Sequence, residues 1–307
     1  MIFFRCRKNG LQVGLTPSCS SIFFDEGFLM MKIALLQIDG KMPNLALMKI
    51  AAFHRKRGDE VTFIDLSSIK ADRWYGSKIF MGGSGYDLKA KLPSGIEEQV
   101  PDYDLFNIDY SIGFTTRGCI RNCDFCIVKE KEGNLLECDF SRDIKHSRYI
   151  IMDNNFLASE FWKEKLKYFI DNKIKVCFNQ GLDIRLITEE KAKVLSKVLY
   201  YDASFTHRRL YFAFDNPKLE KVFKEKLEIL IRHVKPYRIM VYVLVGHDTT
   251  FDQDMKRFEI IRSFGCDPYI MIYNNRRDNQ ELRDFSRWVN KRVYKSCSWK
   301  DYKGRKT

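Results

Sequence analysis

From Tyr110 onward the chain repeats one pattern that leaves few folds open: an apolar run of four to eight residues, then a stretch of helical length, then another apolar run. The runs are "YIIMD" (Tyr149–Asp153), "KVCFNQ" (Lys175–Gln180), "LYFAFD" (Leu210–Asp215), "IMVYVLVG" (Ile239–Gly246) and "PYIMIYN" (Pro268–Asn274), with a further strand expected near Ser111–Phe114. Helical stretches fall between them at Ala158–Asn172, Thr188–Leu199, Pro217–Val234 and Thr250–Phe264. Strands joined by helices of this length need right-handed crossovers and make a parallel sheet. Six such strands predict an α/β fold with a partial (β/α)6, TIM-like barrel instead of a closed eight-stranded one, and place any chemistry at the carboxyl ends of the strands.

A smaller unit is expected upstream. Strand Lys32–Ile38 leads through "DGKMPN" to a helix over Asn44–Arg57, with Pro43 at its start and Gly58 past its end, then to strand Glu60–Ile64. This is a Rossmann-like βαβ unit. A short strand near Lys78–Met81 and the turn "GGSG" (Gly82–Gly85) precede a Pro-marked connector to Phe106. The expected organisation is therefore a leader over 1–30, a small α/β domain over 31–108, a barrel over 109–285 and a basic tail over 286–307. The leader has neither strand nor helix periodicity and no continuous apolar stretch of the signal-peptide kind. Met31 is expected as the true start, or residues 1–30 as a native arm with little order.

The strongest chemical signal is "TTRGCIRNCDFC", where Cys119, Cys123 and Cys126 form a C-x3-C-x2-C array just beyond the first barrel strand. Three thiolates on one loop can hold three irons of a cubane and leave the fourth iron open. The polar residues between them, and Phe125, are placed to tune such a cluster or to pack against what it binds. The competing assignment is structural zinc with Cys138 or His146 as fourth ligand, although zinc sites usually use paired C-x2-C knuckles and no second knuckle occurs here. Cys177 and Cys266 read as buried strand thiols, so a single cluster is expected. An odd number of irregularly spaced cysteines in a chain of 307 residues points to reduced thiols and a cytoplasmic setting. No apolar run reaches the roughly 18 residues of a membrane span.

Cys-x3-Cys-x-Phe-Cys in this position resembles the radical S-adenosylmethionine (SAM) superfamily. The likeness extends over about Met31 to Trp288, through "GFTTRGCIRNCDFCIVKEKEG", "MDNNFLA", "FNQGLDIRLI" and "LVGHDTT", and is closest to the subgroup whose barrel follows a cobalamin-binding-like domain. It implies a 4Fe–4S cluster whose open iron chelates SAM, an electron donor such as flavodoxin or ferredoxin, and a 5′-deoxyadenosyl radical that takes hydrogen from an unidentified substrate. It implies SAM contacts as well: Asp153 and Asn154 at the methionyl amine, Asn179, Gln180 and Asp215 at the methionyl carboxylate and ribose, and Gly246 and the neighbourhood of Tyr269 at the adenine. Structural alternatives stay open. Asp153 can cap a helix starting near Ala158, Asp215 can start the next, His247 can be a proton carrier or merely solvated, and Arg117 can face the cluster or the solvent. The "IDGKMPN" loop lacks the His that the D-x-H-x-x-G motif supplies to cobalamin, so cobalamin is not an expected ligand and the domain is expected to serve as scaffold or docking element.

The chain carries a net charge of +13, and from Arg276 to Thr307 eleven Lys or Arg stand against four Asp or Glu. Interleaved with Trp288, Tyr294, Trp299 and Tyr302, this tail can grip RNA or another anionic partner, or be an amphipathic helix over Glu281–Tyr294 whose aromatics dock on the barrel. Three readings follow: a radical SAM enzyme, a non-catalytic iron–sulfur or zinc protein that binds nucleic acid through this tail, and a partner subunit that keeps the fold without the activity.

Overall fold

The computed structural model describes residues 30–38, 40, 42–63, 70–77, 94–275 and 278–304. The expected leader up to residue 29, the strand at 78–81 and the glycine turn at 82–85 lie outside them. Two compact units divide between Asp109 and Tyr110.

In the first unit, β1 (Lys32–Gln37), α1 (Leu45–Lys56), β2 (Glu60–Phe63) and β3 (Arg73–Ser77) build a parallel sheet of order β2-β1-β3. Asn44 starts α1 by accepting from the Ala46 and Leu47 backbone amides, while its side-chain Nδ2 donates to Ser77 Oγ at 2.7 Å. Gly58, just past the helix, takes φ +86°, the left-handed turn that glycine adopts without steric cost. Ile33, Leu35, Leu47, Ile50, Val61 and Tyr75 close a small core. His54 is buried within this unit, its Nδ1 2.6 Å from Asp59 and its Nε2 3.0 Å from the Tyr75 hydroxyl. The second strand paired with β1 is "RWYGS" at Arg73–Ser77, a segment not expected as a strand. Its exposed Arg73 and Trp74 and its glycine hide it from a search for apolar runs.

The second unit is α/β with parallel sheets. Its elements are β4 (Ser111–Gly113), β5 (Thr116–Arg117), α2 (Val128–Glu132), β6 (Leu136–Glu137), β7 (Arg148–Ile151), α3 (Trp162–Asp171), β8 (Lys175–Phe178), α4 (Glu189–Lys197), β9 (Leu199–Tyr200), β10 (Leu210–Ala213), α5 (Glu220–Ile231), β11 (Ile239–Val245), α6 (Phe251–Ser263), β12 (Asp267–Ile272) and α7 (Gln280–Asn290). One sheet has the order β4-β7-β8-β9 and another β10-β11-β12, all pairings within them being parallel. They meet at a parallel bridge between Leu182 and Phe212. A short antiparallel ribbon, β5 with β6, frames the cysteine segment.

Each expected barrel strand stops one or two residues before its expected end. Helix starts follow local chemistry. Thr250 and Gln253 form a reciprocal capping box at α6, and Thr188 accepts from the Lys191 amide at α4. The helix expected from Ala158 instead begins at Trp162, after a 3-10 turn over Phe156–Ala158.

The core faces of β10, β11 and β12 (Leu210, Phe212, Val241, Val243, Ile270) pack with Leu227 of α5, Phe258 and Ile261 of α6 and Phe285 of α7. The opposite face of this sheet carries Tyr211, Tyr242 and Tyr269. The first two rings stack at 5.5 Å and the second pair meets edge to face at 5.8 Å. By contrast, β7 and β8 are buried on both faces, as parallel strands usually are. Buried Arg257 of α6 donates to the carbonyls of Phe214, Asp215 and Leu244 and pairs with Asp254, tying the ends of β10 and β11 together. α7 buries Leu282, Phe285, Trp288 and Val289, and Trp288 donates its indole N–H to Cys297 O at 2.8 Å. The tail's aromatics therefore dock on their own unit: Trp299 packs on Phe251 and Trp288, and Tyr294 on Phe258. Among the described residues no helix is long and apolar enough to cross a membrane.

Candidate functional site

Thr115 and Thr116, just past β4, set the direction of the cysteine loop. The Thr115 amide donates to Asp153 Oδ1 at 2.6 Å, and the Thr115 and Thr116 hydroxyls donate to Oδ2 at 2.5 and 2.9 Å. Buried Lys165 of α3 reaches Thr115 O at 2.8 Å and also pairs with Glu137. Burial pushes the Asp153 carboxyl above its ordinary value, and the hydrogen bonds from Thr115 and Thr116 oppose that shift. Asp153 thus ties β7 to the root of the loop and caps no helix; both of its oxygens are committed there.

Beyond the threonines the chain passes Gly118, at φ +73°, where a Cβ would stand 2.2 Å from the Asn134 carbonyl oxygen. Only glycine lets the two arms of the ribbon approach so closely. Glu132 gathers this region, accepting from the Gly118 amide at 3.1 Å and from Asn154 Nδ2 at 2.9 Å while pairing with Arg117 at 3.2 Å. Arg117 is therefore engaged with a carboxylate and with the Phe114 ring.

The three cysteines follow. Cys119 and Cys123 are half-buried and Cys126 is exposed. Cys119 Sγ accepts from the Arg121 amide at 3.3 Å and lies 3.5 Å from Asn155 Nδ2. Burial pushes the Cys123 thiol up, the neighbouring Cys126 and Cys119 sulfurs add to the shift, and the Arg185 guanidinium opposes it. The sulfurs are thus within electrostatic reach of one another. Among the described residues, no three His, Cys, Asp or Glu side chains converge closely enough to hold a metal ion as they stand. The donor set nonetheless suits an anionic sulfur-ligated group: three thiols on one loop, N–H groups aimed at one of them and a guanidinium against another.

Asp183, two residues past the turn that ends β8, organises the charge here. It accepts from Arg185 Nε at 2.6 Å and from Arg121 Nε at 3.1 Å. Burial alone would raise its carboxyl, but Arg185 and Arg121 hold it below the ordinary carboxylate range. On the other flank, Phe125 meets the His247 ring edge to face at 5.8 Å, and His247 lies 4.5 Å from Tyr273. His247 Nε2 is buried with no hydrogen-bond partner and stands 3.6 Å from Asp124. The loop therefore touches Asp183 beyond β8 at one side and His247 beyond β11 at the other, and His247 in turn packs on Tyr273 beyond β12.

The remaining expected residues are distributed along the strand ends. Half-buried Asn179 directly follows β8, with Nδ2 3.9 Å from Met152 Sδ, and Gln180 beside it is exposed. Asp215, past β10, accepts from the Leu244 amide at 2.9 Å; the 3-10 turn that follows is started by Asn216, so the helix-start role expected of Asp215 falls to its neighbour. Gly246 directly follows β11 at φ +77°. Tyr269 lies in the middle of β12, and the strand-end aromatic is Tyr273, which packs on His247. His146, weighed as a zinc ligand, bonds Ser111 Oγ at the amino ends of β4 and β7, opposite the end from which the cysteines emerge.

Asn155, Asp183, Arg185 and Tyr273 were not expected as site residues. "GLDIR" carried a signal for two of them, since an acid and a base two apart just after a strand can bridge to a neighbouring loop. A scan against family models matches none, and a search of curated proteins matches none, so the constellation stands on its geometry.

Proposed function

We propose that the chain is a radical SAM enzyme in which Cys119, Cys123 and Cys126 hold a 4Fe–4S cluster and the two parallel sheets of the second unit form a partial barrel around SAM. The observation that carries this reading is the path of the cysteine loop. It runs beside the carboxyl ends of β7, β8 and β11, where a parallel α/β fold places its chemistry, touches a residue past each of them, and reaches Tyr273 past β12 through His247. When bound, the cluster supplies the single electron that cleaves the SAM sulfonium bond, so that a hydrogen is taken from the substrate.

The residues of the chain contribute placement. Asp153 fixes the root of the loop, and Asn154, Asn179, Gln180 and Asp215 offer polar groups to the methionyl and ribose parts of SAM. Gly246 lets the backbone approach the adenine. Phe125, His247 and Tyr273 form an aromatic flank that excludes water from the reacting bond. A flavodoxin or ferredoxin is the proposed electron donor, the cytoplasm the proposed setting, and the first unit serves as scaffold or docking element without cobalamin.

Anaerobic reconstitution with iron and sulfide tests this. The expected product is a 4Fe–4S cluster whose electron paramagnetic resonance signal changes when SAM is added and which, once reduced, yields 5′-deoxyadenosine and methionine. Zinc retained in place of iron, or a cluster indifferent to SAM, sinks the proposal. The nucleic-acid reading gains no support from the tail, whose aromatics are engaged in the core.

A further inference from the structure

One carboxylate, Asp183, holds two guanidiniums and an amide that all lie against the cysteine loop. Its side chain is about 8 % exposed. Arg121 comes from the loop itself, and its backbone amide donates to Cys119 Sγ at 3.3 Å. Arg185 lies against the Cys123 thiol and is gripped by both carboxylate oxygens, Nε on Oδ1 at 2.6 Å and Nη2 on Oδ2 at 3.0 Å. Asn155 Nδ2 stands 3.4 Å from the same carboxylate and 3.5 Å from Cys119 Sγ. Two positive charges thus share one negative charge beside three thiols, an excess of one cation where the proposed function needs anionic sulfurs. A guanidinium held bidentately by a buried acid has lost its conformational freedom before any ligand arrives.

We infer that Asp183 and Arg185 are positioning residues, resting on the cluster reading above: Asp183 anchors the loop through Arg121 and aims Arg185 at Cys123, so that the charge of the reduced cluster is balanced from the end of β8. A fixed cation and N–H donors beside a cluster sulfur favour the reduced, more negative state. Such a pair therefore makes the cluster easier to reduce.

The test is a redox titration of the reconstituted full-length chain, followed by electron paramagnetic resonance, with iron content measured alongside. Arg185→Gln is expected to keep its iron while the one-electron reduction equilibrium falls about tenfold, a midpoint about 59 mV more negative. Arg185→Lys, which keeps the charge, should recover most of that shift. Arg209→Gln removes a charge paired with Asp267 at the amino ends of the strands and should leave the potential alone. Equal midpoints for wild type and Arg185→Gln at full iron content overturn the inference, as does Arg185→Lys behaving like Arg185→Gln. A wild-type chain that assembles no cluster sinks the proposed function instead. The anchor is then read in the metal-free protein by amide hydrogen exchange over residues 118–126: faster exchange in Asp183→Asn supports it, and exchange equal to wild type overturns it.

Discussion

Asp153 shows how a polar residue at a strand end can fix the root of a neighbouring loop. Its carboxylate satisfies one buried amide and two buried hydroxyls from Thr115 and Thr116, in the two-residue step from β4 into the cysteine loop. Removing it strands three donors, each costing about 1–3 kcal/mol when buried unpaired. Asp153→Ala is therefore expected to lower stability by at least about 3 kcal/mol in denaturant unfolding and to lose iron on reconstitution. Asn154→Ala forfeits one part-buried bond to Glu132 and should cost about 1 kcal/mol. Equal, small effects in the two variants would show that Asp153 is not the tie at the root of the loop.

Among the elements, the β5–β6 ribbon depends on one backbone position. Gly118→Ala must adopt φ +73° and also push back the Asn134 carbonyl, whereas Gly58→Ala must adopt φ +86° in open space. The left-handed conformation alone costs an L-residue about 1–2 kcal/mol. Gly58→Ala should lose about that much, and Gly118→Ala several kcal/mol more together with its capacity to assemble the proposed cluster. Comparable melting points for the two would contradict the close approach. The same elements mark how far sequence reading reaches. β7, β8, β10, β11 and β12 were legible because each is an apolar run between helices, and α1 was legible from Asn44, Pro43 and Gly58. The two-residue strands β5 and β6 have no periodicity to detect, and β3 is disguised by its exposed Arg73 and Trp74. Arg257 was invisible for another reason. An arginine in a charged helix reads as solvated until the carbonyls of Phe214, Asp215 and Leu244 arrive from two other strands. Of the candidate site, the three cysteines and most strand-end positions could be read, whereas the partnerships Asp153–Thr115 and Asp183–Arg121 join residues 38 and 62 positions apart.

For the molecule as a whole, the basic carboxyl-terminal stretch is the last layer of the core. Trp288, about 4 % exposed, contacts Phe258, Phe285, Tyr294 and Trp299. Trp288→Ala is expected to cost about 3–5 kcal/mol and to lower the thermal midpoint by on the order of 10 °C. At temperatures where the variant is folded, its salt-dependent binding to a polyanion such as polyuridylate should match wild type. A loss of polyanion binding at an unchanged melting point would reverse that assignment and make the tail a recognition element.

The junction between the two sheets has a consequence of its own. A parallel bridge at Leu182 and Phe212 joins a half whose strands β7 and β8 are buried on both faces to a half whose second face carries tyrosines. Amides, carboxylates and guanidiniums gather past the ends of the first half, at Asn155, Asp183 and Arg185. The other half presents a row of phenol rings, half-buried Tyr211 and Tyr242 and exposed Tyr269. The seam is therefore a chemical border. A molecule lying across it would meet fixed charge and hydrogen-bond donors at one end and flat, polarisable rings at the other, so its orientation would be set by its own polarity before any of its bonds were tested.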